Sequence, residues 1–302
     1  MLYEPADHLQ LYSLLNGYQY TESFSVTDDV QDQFNKNGFI ILRQLLDTEE
    51  ITKLRVALEQ DQGLRDHCNA ADDGEGRAAK STLWNYVADD ITGIIARSEK
   101  VAGTMEKLLG GEVYHYHSKV IMKEPFTGGA HIWHQDYGYW YLNGCLFPDM
   151  GTVWVAVDRA DKTNGCLKIL PGSHLAGRVD HVKKGMQAGA DVARVEQLMQ
   201  VCPMTYVQLD PGDALFFHCN LLHRSEQNNS PNRRWAFLMC YNRRTNDPVY
   251  RHHHPNYTPL FKVPNSRIKQ CSTITTMEGK GFHAGPKATM HMAKLEEQGK
   301  EQ

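Results

Sequence analysis

The sequence predicts a mainly β protein, an antiparallel sandwich or barrel with helices packed outside it. Three observations carry that reading. After residue 110, short runs rich in Val, Ile, Phe, Tyr and Trp follow one another, each bounded by Gly, Pro, Asn or Asp. Before residue 110, apolar residues recur at helical spacing. With 302 residues, 41% apolar and 23% charged, the chain has the composition of one large globular domain. We read residues 1–302 as a single domain: a helical flank at 25–110, a barrel core at 111–245 with a helical flap inserted at 175–203, and a C-terminal extension at 246–302.

In SVTDDVQDQFNKNG, Val30 and Phe34 stand four apart and Gly38 supplies a stop, which predicts a helix. FIILR then reads as a strand. Asp47 and Glu50 make a capping box for ITKLRVALEQ, whose Ile51, Leu54 and Leu58 mark one buried face. Residues 63–82 are polar and turn-rich, and DDGEGRAAK reads as an exposed loop. The strand-like runs of the core are VYHYHSKVIMKEP, GTVWVAVDRAD, GCLKILPGSH, TYVQLDPGDALFFHCNLLH and RRWAFLMCYNR. ADVARVEQLMQ has helical spacing and interrupts them, so it belongs to the inserted flap over one end of the barrel. His252, His253 and His254 read as an exposed loop, and the last ten residues as a mobile tail.

Several function classes are excluded. A formal charge of −4 with scattered Lys and Arg gives no footprint for nucleic acid. No apolar run approaches the roughly 20 residues that cross a bilayer, and the N-terminus lacks the regions of a secretory signal. A cytoplasmic protein without a membrane partner is expected. Leu2, His8 and Leu9 half resemble a peroxisomal address, but Met1 stands where its basic residue belongs. The seven cysteines are odd in number and lack a C-x-x-C pair, which fits reduced thiols.

The chemistry is concentrated in HIWHQDYGYWY at 131–141, two histidines, an acid and five aromatic rings in eleven residues. With 36 acids in the chain, about two of the fifteen histidines should have an acid two positions on by accident; only His134 does. On a strand, residues two apart share a face, so His134 and Asp136 can take adjacent positions on a metal. A third ligand must come from elsewhere, and FFHCNLLHRSEQN offers His218 and His223. Eleven residues past His223 lies Arg234. Two histidines and one carboxylate form the facial triad of non-haem Fe(II) oxygenases. Two of the open sites would take the keto-acid end of 2-oxoglutarate and one O2. The far carboxylate of that co-substrate calls for a bidentate guanidinium, which makes the spacing from His223 to Arg234 informative. Ser225, two residues past His223, could add a hydroxyl.

Taken together, HIWHQD with its aromatic run, NGCLKILPGSH at 164–174, PGDALFFHCNLLHRSEQN at 211–228 and the arginine eleven residues past His223 resemble the phytanoyl-CoA dioxygenase family of Fe(II)/2-oxoglutarate oxygenases. The likeness runs from about residue 25, with GFIILRQLLDTEEI, to about 245. It implies a double-stranded β-helix, the jelly-roll barrel. It implies His134, Asp136 and His223 as iron ligands, Arg234 and Ser225 as the 2-oxoglutarate site, and His117 as a further co-substrate contact. At His117 the chain departs from members that carry Gln and Asn in that strand. The implied reaction yields succinate and CO2 while an unactivated C–H bond is oxidised. Relatives that halogenate have a small residue at the acid's position, so Asp136 disfavours halogenation.

The aromatic run can wall off the reacting centre. Alternation along a regular strand selects Trp140 for the pocket, whereas a turn after the acid would bring in Tyr137 or Tyr139. Lys119, Arg178 and His181 are candidates for a substrate carboxylate. A small amino-acid-derived molecule is the expected substrate, hydroxylated, desaturated or closed into a ring. Acyl-CoA hydroxylation, or a jelly-roll module that binds metal without redox chemistry, are the alternatives.

Overall fold

The computed structural model describes residues 13–282 apart from residue 185. The address-like pattern at Leu2, His8 and Leu9 and the last ten residues lie outside that range. Fourteen strands are described: β1 (Tyr18–Gln19), β2 (Phe39–Arg43), β3 (Asn69–Asp72), β4 (Ala78–Trp84), β5 (Val113–Lys123), β6 (His131–His134), β7 (Met150–Ala156), β8 (Leu167–Ile169), β9 (His181–Lys184), β10 (Gln187–Ala190), β11 (Thr205–Val207), β12 (Ala214–His218), β13 (His223–Ser225) and β14 (Arg234–Arg243).

They form a large sheet in the order β1-β2-β12-β7-β14-β5-β4-β3 and a small one in the order β11-β8-β13-β6, with β9 and β10 as a separate hairpin. The two sheets face each other as the predicted jelly roll. Strand alternation fills the space between them. Phe39, Trp154, Leu215, Phe217 and Leu238 point inward, against Leu167, Ile169 and Val207 of the small sheet. Their neighbours Ile40, Val153, Val155, Phe216 and Phe237 point outward, into a second core with Leu54, Leu58, Ile94 and Met105 of the flanking helices. With both faces buried, β7 reads as the near-continuous apolar run GTVWVA rather than as an alternation.

The flank follows its local signals. Thr27 caps the helix Asp28–Asn37 through Val30 N, and Gly38, at φ 80°, ends it in the left-handed conformation. Asp47 and Glu50 form the reciprocal capping box of the helix Thr48–Gln60.

Four expectations require correction. Residues 69–84 are a hairpin that extends the large sheet, because Asp73 accepts from the amides of Glu75 and Arg77 and closes a tight turn. The strand carrying His134 stops there; Asp136 opens a short helix, Asp136–Trp140. The insertion holds the hairpin β9–β10 as well as the helix Val192–Met199. His252, His253 and His254 are not an exposed loop: the His254 ring stacks on His117 with centroids 4.7 Å apart.

Residues 263–282 return to the flank. Lys280, fully buried, bonds Asp61 and lies 3.0 Å from Asp90 Oδ2, with its ammonium over the Trp84 ring. Those two carboxylates cap the helices Gln62–Asp66 and Ile91–Ala96. All seven cysteines are free, and among the described residues no helix is long and apolar enough to cross a membrane.

Candidate metal and 2-oxoglutarate site

Antiparallel pairing of β6 with β13 sets His134 directly opposite His223, and their ring centroids are 4.1 Å apart. The turn after His134 brings Asp136 alongside. One ligand atom from each of the three lies within 4.8 Å of the others, the only group of three or more such residues placed to hold a metal among the described residues. His218, the other sequence candidate, is turned to the flank: it accepts from Asn220 N and packs against Phe34 and His174.

The orientation of each ligand is fixed. His134 Nδ1 bonds Ile132 O at 2.8 Å and His223 Nδ1 bonds Leu221 O at 2.9 Å. A carbonyl can only accept, so both Nδ1 atoms carry hydrogen and both Nε2 lone pairs are free for a metal. Burial, reinforced by the facing His223, holds His134 well below the ordinary imidazole range; burial also lowers His223, against the opposing pull of Asp136. Neutral rings are what a metal requires. Thr152 Oγ1 donates to Asp136 Oδ2 at 2.7 Å, leaving Oδ1 available.

Arg234 begins β14 on the inward face and is fully buried. Its Nη2 donates to Gly165 O at 2.9 Å, while Nε and Nη1 have no partner. Burial lowers its pKa to about 10, so the guanidinium still carries its charge at neutral pH. A buried cation with idle donors on Nε and Nη1 can receive an anion, and the end pair, Nη1 with the second hydrogen of Nη2, has the spacing of a carboxylate. The residues present therefore fit both an iron ion and the distal end of 2-oxoglutarate. Ser225, buried on β13, lies one strand away from His131.

The register of β5 sorts the remaining candidates. Lys123 stands opposite Arg234, Lys119 opposite Leu238, and His117 opposite Cys240. His117 is thus six residues, roughly 20 Å of strand, from the Arg234 level and packs beside Trp140, not beside Arg234. Lys119 is half-buried and its ammonium makes no hydrogen bond or ion pair among the described residues; burial first, and the Lys119 charge in addition, lowers the His131 and His223 rings. Trp140 is buried against Tyr116 and His117. Tyr137 is turned away, its hydroxyl donating to Cys145 O at 3.0 Å, and it is Tyr139 whose ring lies 5.9 Å from that of His134.

Two of the residues read as carboxylate partners are already engaged. Arg178 pairs with Asp180 at 2.7 Å outside the barrel and covers the Tyr141 ring. His181 uses both ring nitrogens on backbone groups, Val179 O and Gln135 N. Sequence reasoning missed Thr152, Trp154 and Lys123. Trp154 Nε1 is buried without a partner and its ring faces Arg234, whereas Lys123 is held by the carbonyls of Gly129 and Glu226. The signal for them was the inward parity of their strands.

Comparison with known proteins agrees with this geometry. An L-proline trans-4-hydroxylase of Streptomyces griseoviridis is 29% identical over 263 residues, covering 80% of this chain and 97% of that protein. An ectoine dioxygenase of Bordetella bronchiseptica is 29% identical over 231 residues, covering 71% and 74%. The crystal structure of EctD from S. alaskensis with 2-oxoglutarate and 5-hydroxyectoine superposes with a TM-score of 0.69 at 20% identity, over 82% of this chain and 91% of that one. These relatives do not favour a metal-binding module without redox chemistry. The sequence profile of phytanoyl-CoA dioxygenase (PhyH) matches residues 34–236. The chain belongs to the phytanoyl-CoA dioxygenase family and is an Fe(II)/2-oxoglutarate-dependent dioxygenase.

Proposed function

We propose that this enzyme oxidises an unactivated C–H bond of a small, carboxylate-bearing, amino-acid-derived molecule in a reducing, cytoplasm-like compartment. His134, Asp136 and His223 are the iron ligands, and Arg234, with Ser225 as a further donor, takes the distal carboxylate of 2-oxoglutarate. The observation that carries the reading is Arg234: two nitrogens, Nε and Nη1, idle on a buried guanidinium in the same barrel as a His-Asp-His group. When bound, iron supplies the oxidation of the keto acid by O2 and the power to break the C–H bond.

The chain supplies the rest. Ile132 O, Leu221 O and Thr152 Oγ1 aim the ligands. Trp140, Tyr139 and His117 wall the substrate side and keep bulk water out. Lys119, whose ammonium has no partner among the described residues, takes the substrate's carboxylate. The names of the two relatives support a substrate of this size, since proline and ectoine are both small molecules with a ring and a carboxylate.

Succinate release measured with Fe(II), 2-oxoglutarate and either L-proline or ectoine tests the reading. Turnover with at least one is expected. No succinate with either, together with no visible charge-transfer band for 2-oxoglutarate under anaerobic Fe(II), would defeat it. Lys119→Met should raise KM for the carboxylate substrate by roughly 10- to 100-fold, the worth of one hydrogen bond to a charged group, and leave KM for 2-oxoglutarate unchanged. Equal rises in both would move Lys119 to the co-substrate.

A further inference from the structure

His181 lies in the inserted hairpin, 46 residues from Gln135 in sequence, yet its imidazole is built into the metal segment. Its Nδ1 faces Val179 O at 3.0 Å, which can only accept, so Nδ1 carries the hydrogen. Nε2 is then an acceptor, and it receives the backbone N–H of Gln135 at 3.1 Å. That amide belongs to the single residue between His134 and Asp136.

Two features show that the contact is shaped for this ring. A Cβ on Gly138 would sit 1.9 Å from His181 Cε1, so only glycine leaves room for the imidazole. The Tyr139 ring closes the other side, T-shaped with centroids 4.9 Å apart. The Gln135 side chain, fully buried, fastens the same joint: Nε2 donates to Gly177 O and Asn220 O, and Oε1 accepts from Val179 N at 2.7 Å.

We propose that His181 is a positioning residue, which completes the metal segment by holding the peptide between the two ligands when the inserted hairpin is docked. Loss of the acceptor frees the Gln135 amide, and with it the angle at which Asp136 leaves the strand for its helix. The insertion is then not a passive cover: iron geometry and hairpin docking are one equilibrium. This rests on His134, Asp136 and His223 being the iron ligands.

The test uses full-length apoprotein and anaerobic Fe(II) titration, followed by the charge-transfer band after adding 2-oxoglutarate. Glutamine can set an oxygen where Nε2 stands, whereas asparagine falls short. His181→Gln should bind iron within about threefold of wild type, and His181→Asn about tenfold or more weaker with a shifted band, the scale known for groups that orient metal ligands. Gly138→Ala should behave like His181→Asn even though alanine is the better helix former. A purely structural pin would lower the melting temperature of these variants and leave iron affinity and band unchanged, and that result overturns the proposal. Gln binding as weakly as Asn overturns it too. If the Asn and Ala variants do not fold, amide exchange of Gln135 in the wild-type apoprotein decides: protection supports the latch and loop-like exchange refutes it. Wild type that binds no iron would sink the ligand assignment instead.

Discussion

Arg234→Met is expected to weaken 2-oxoglutarate binding by roughly 10²- to 10⁴-fold while leaving iron affinity in the absence of co-substrate nearly unchanged. Two hydrogen bonds to a charged group are lost, each worth about 1.5–3 kcal/mol, and tenfold in affinity corresponds to about 1.4 kcal/mol. Lys123, across the strand pair, is no replacement, because it is already held by Gly129 O and Glu226 O. Methionine matches the buried volume, so the loss should be read as chemistry. Arg234→Lys should recover part of it, since an ammonium is a point charge without the fork. Anaerobic titration of the Fe(II) protein with 2-oxoglutarate is the measurement, and a Kd within threefold of wild type for the Met variant would exclude Arg234 as the receptor.

Lys280→Met should destabilise the fold by about 3–5 kcal/mol, because it strands two carboxylates, Asp61 and Asp90, that are buried to within 2%. For a chain of this size that is roughly 10 °C in Tm. Asp61 and Asp90 each cap a helix, and Thr275 and Thr276 bond the same two groups, so the change unfastens the C-terminal segment and the flank together. Thermal unfolding with and without the additional change Asp61→Asn measures it. If Lys280→Met melts within 2 °C of wild type, the triad contributes little, as buried ion pairs sometimes do.

The His-Asp-His group and the buried guanidinium were legible in the sequence because chemistry links them: a facial triad needs three donors and a dicarboxylate needs a fork. The helices at 28–37 and 48–60 were legible because their caps are local. The hairpin at 69–84 was not, since β3 is only four residues, NAAD, at the sheet's outer edge, β4 carries Lys80, Ser81 and Thr82 in its middle, and only the closing Asp73 turn reveals the pair. The stop after His134 was hidden for a different reason. Alternation continues smoothly through Gln135 and Asp136, and what breaks it is a set of contacts to residues 177–181 and 220, all distant in sequence. His181 therefore read as a candidate partner for a substrate carboxylate.

His254 stacks on His117, and the profile of the family ends at residue 236. The stretch that packs on His117 thus lies outside the part of the chain that the family profile matches. If His117 walls the substrate as proposed, selection can retune what the enzyme accepts by altering that stretch, while the inherited reactor stays untouched.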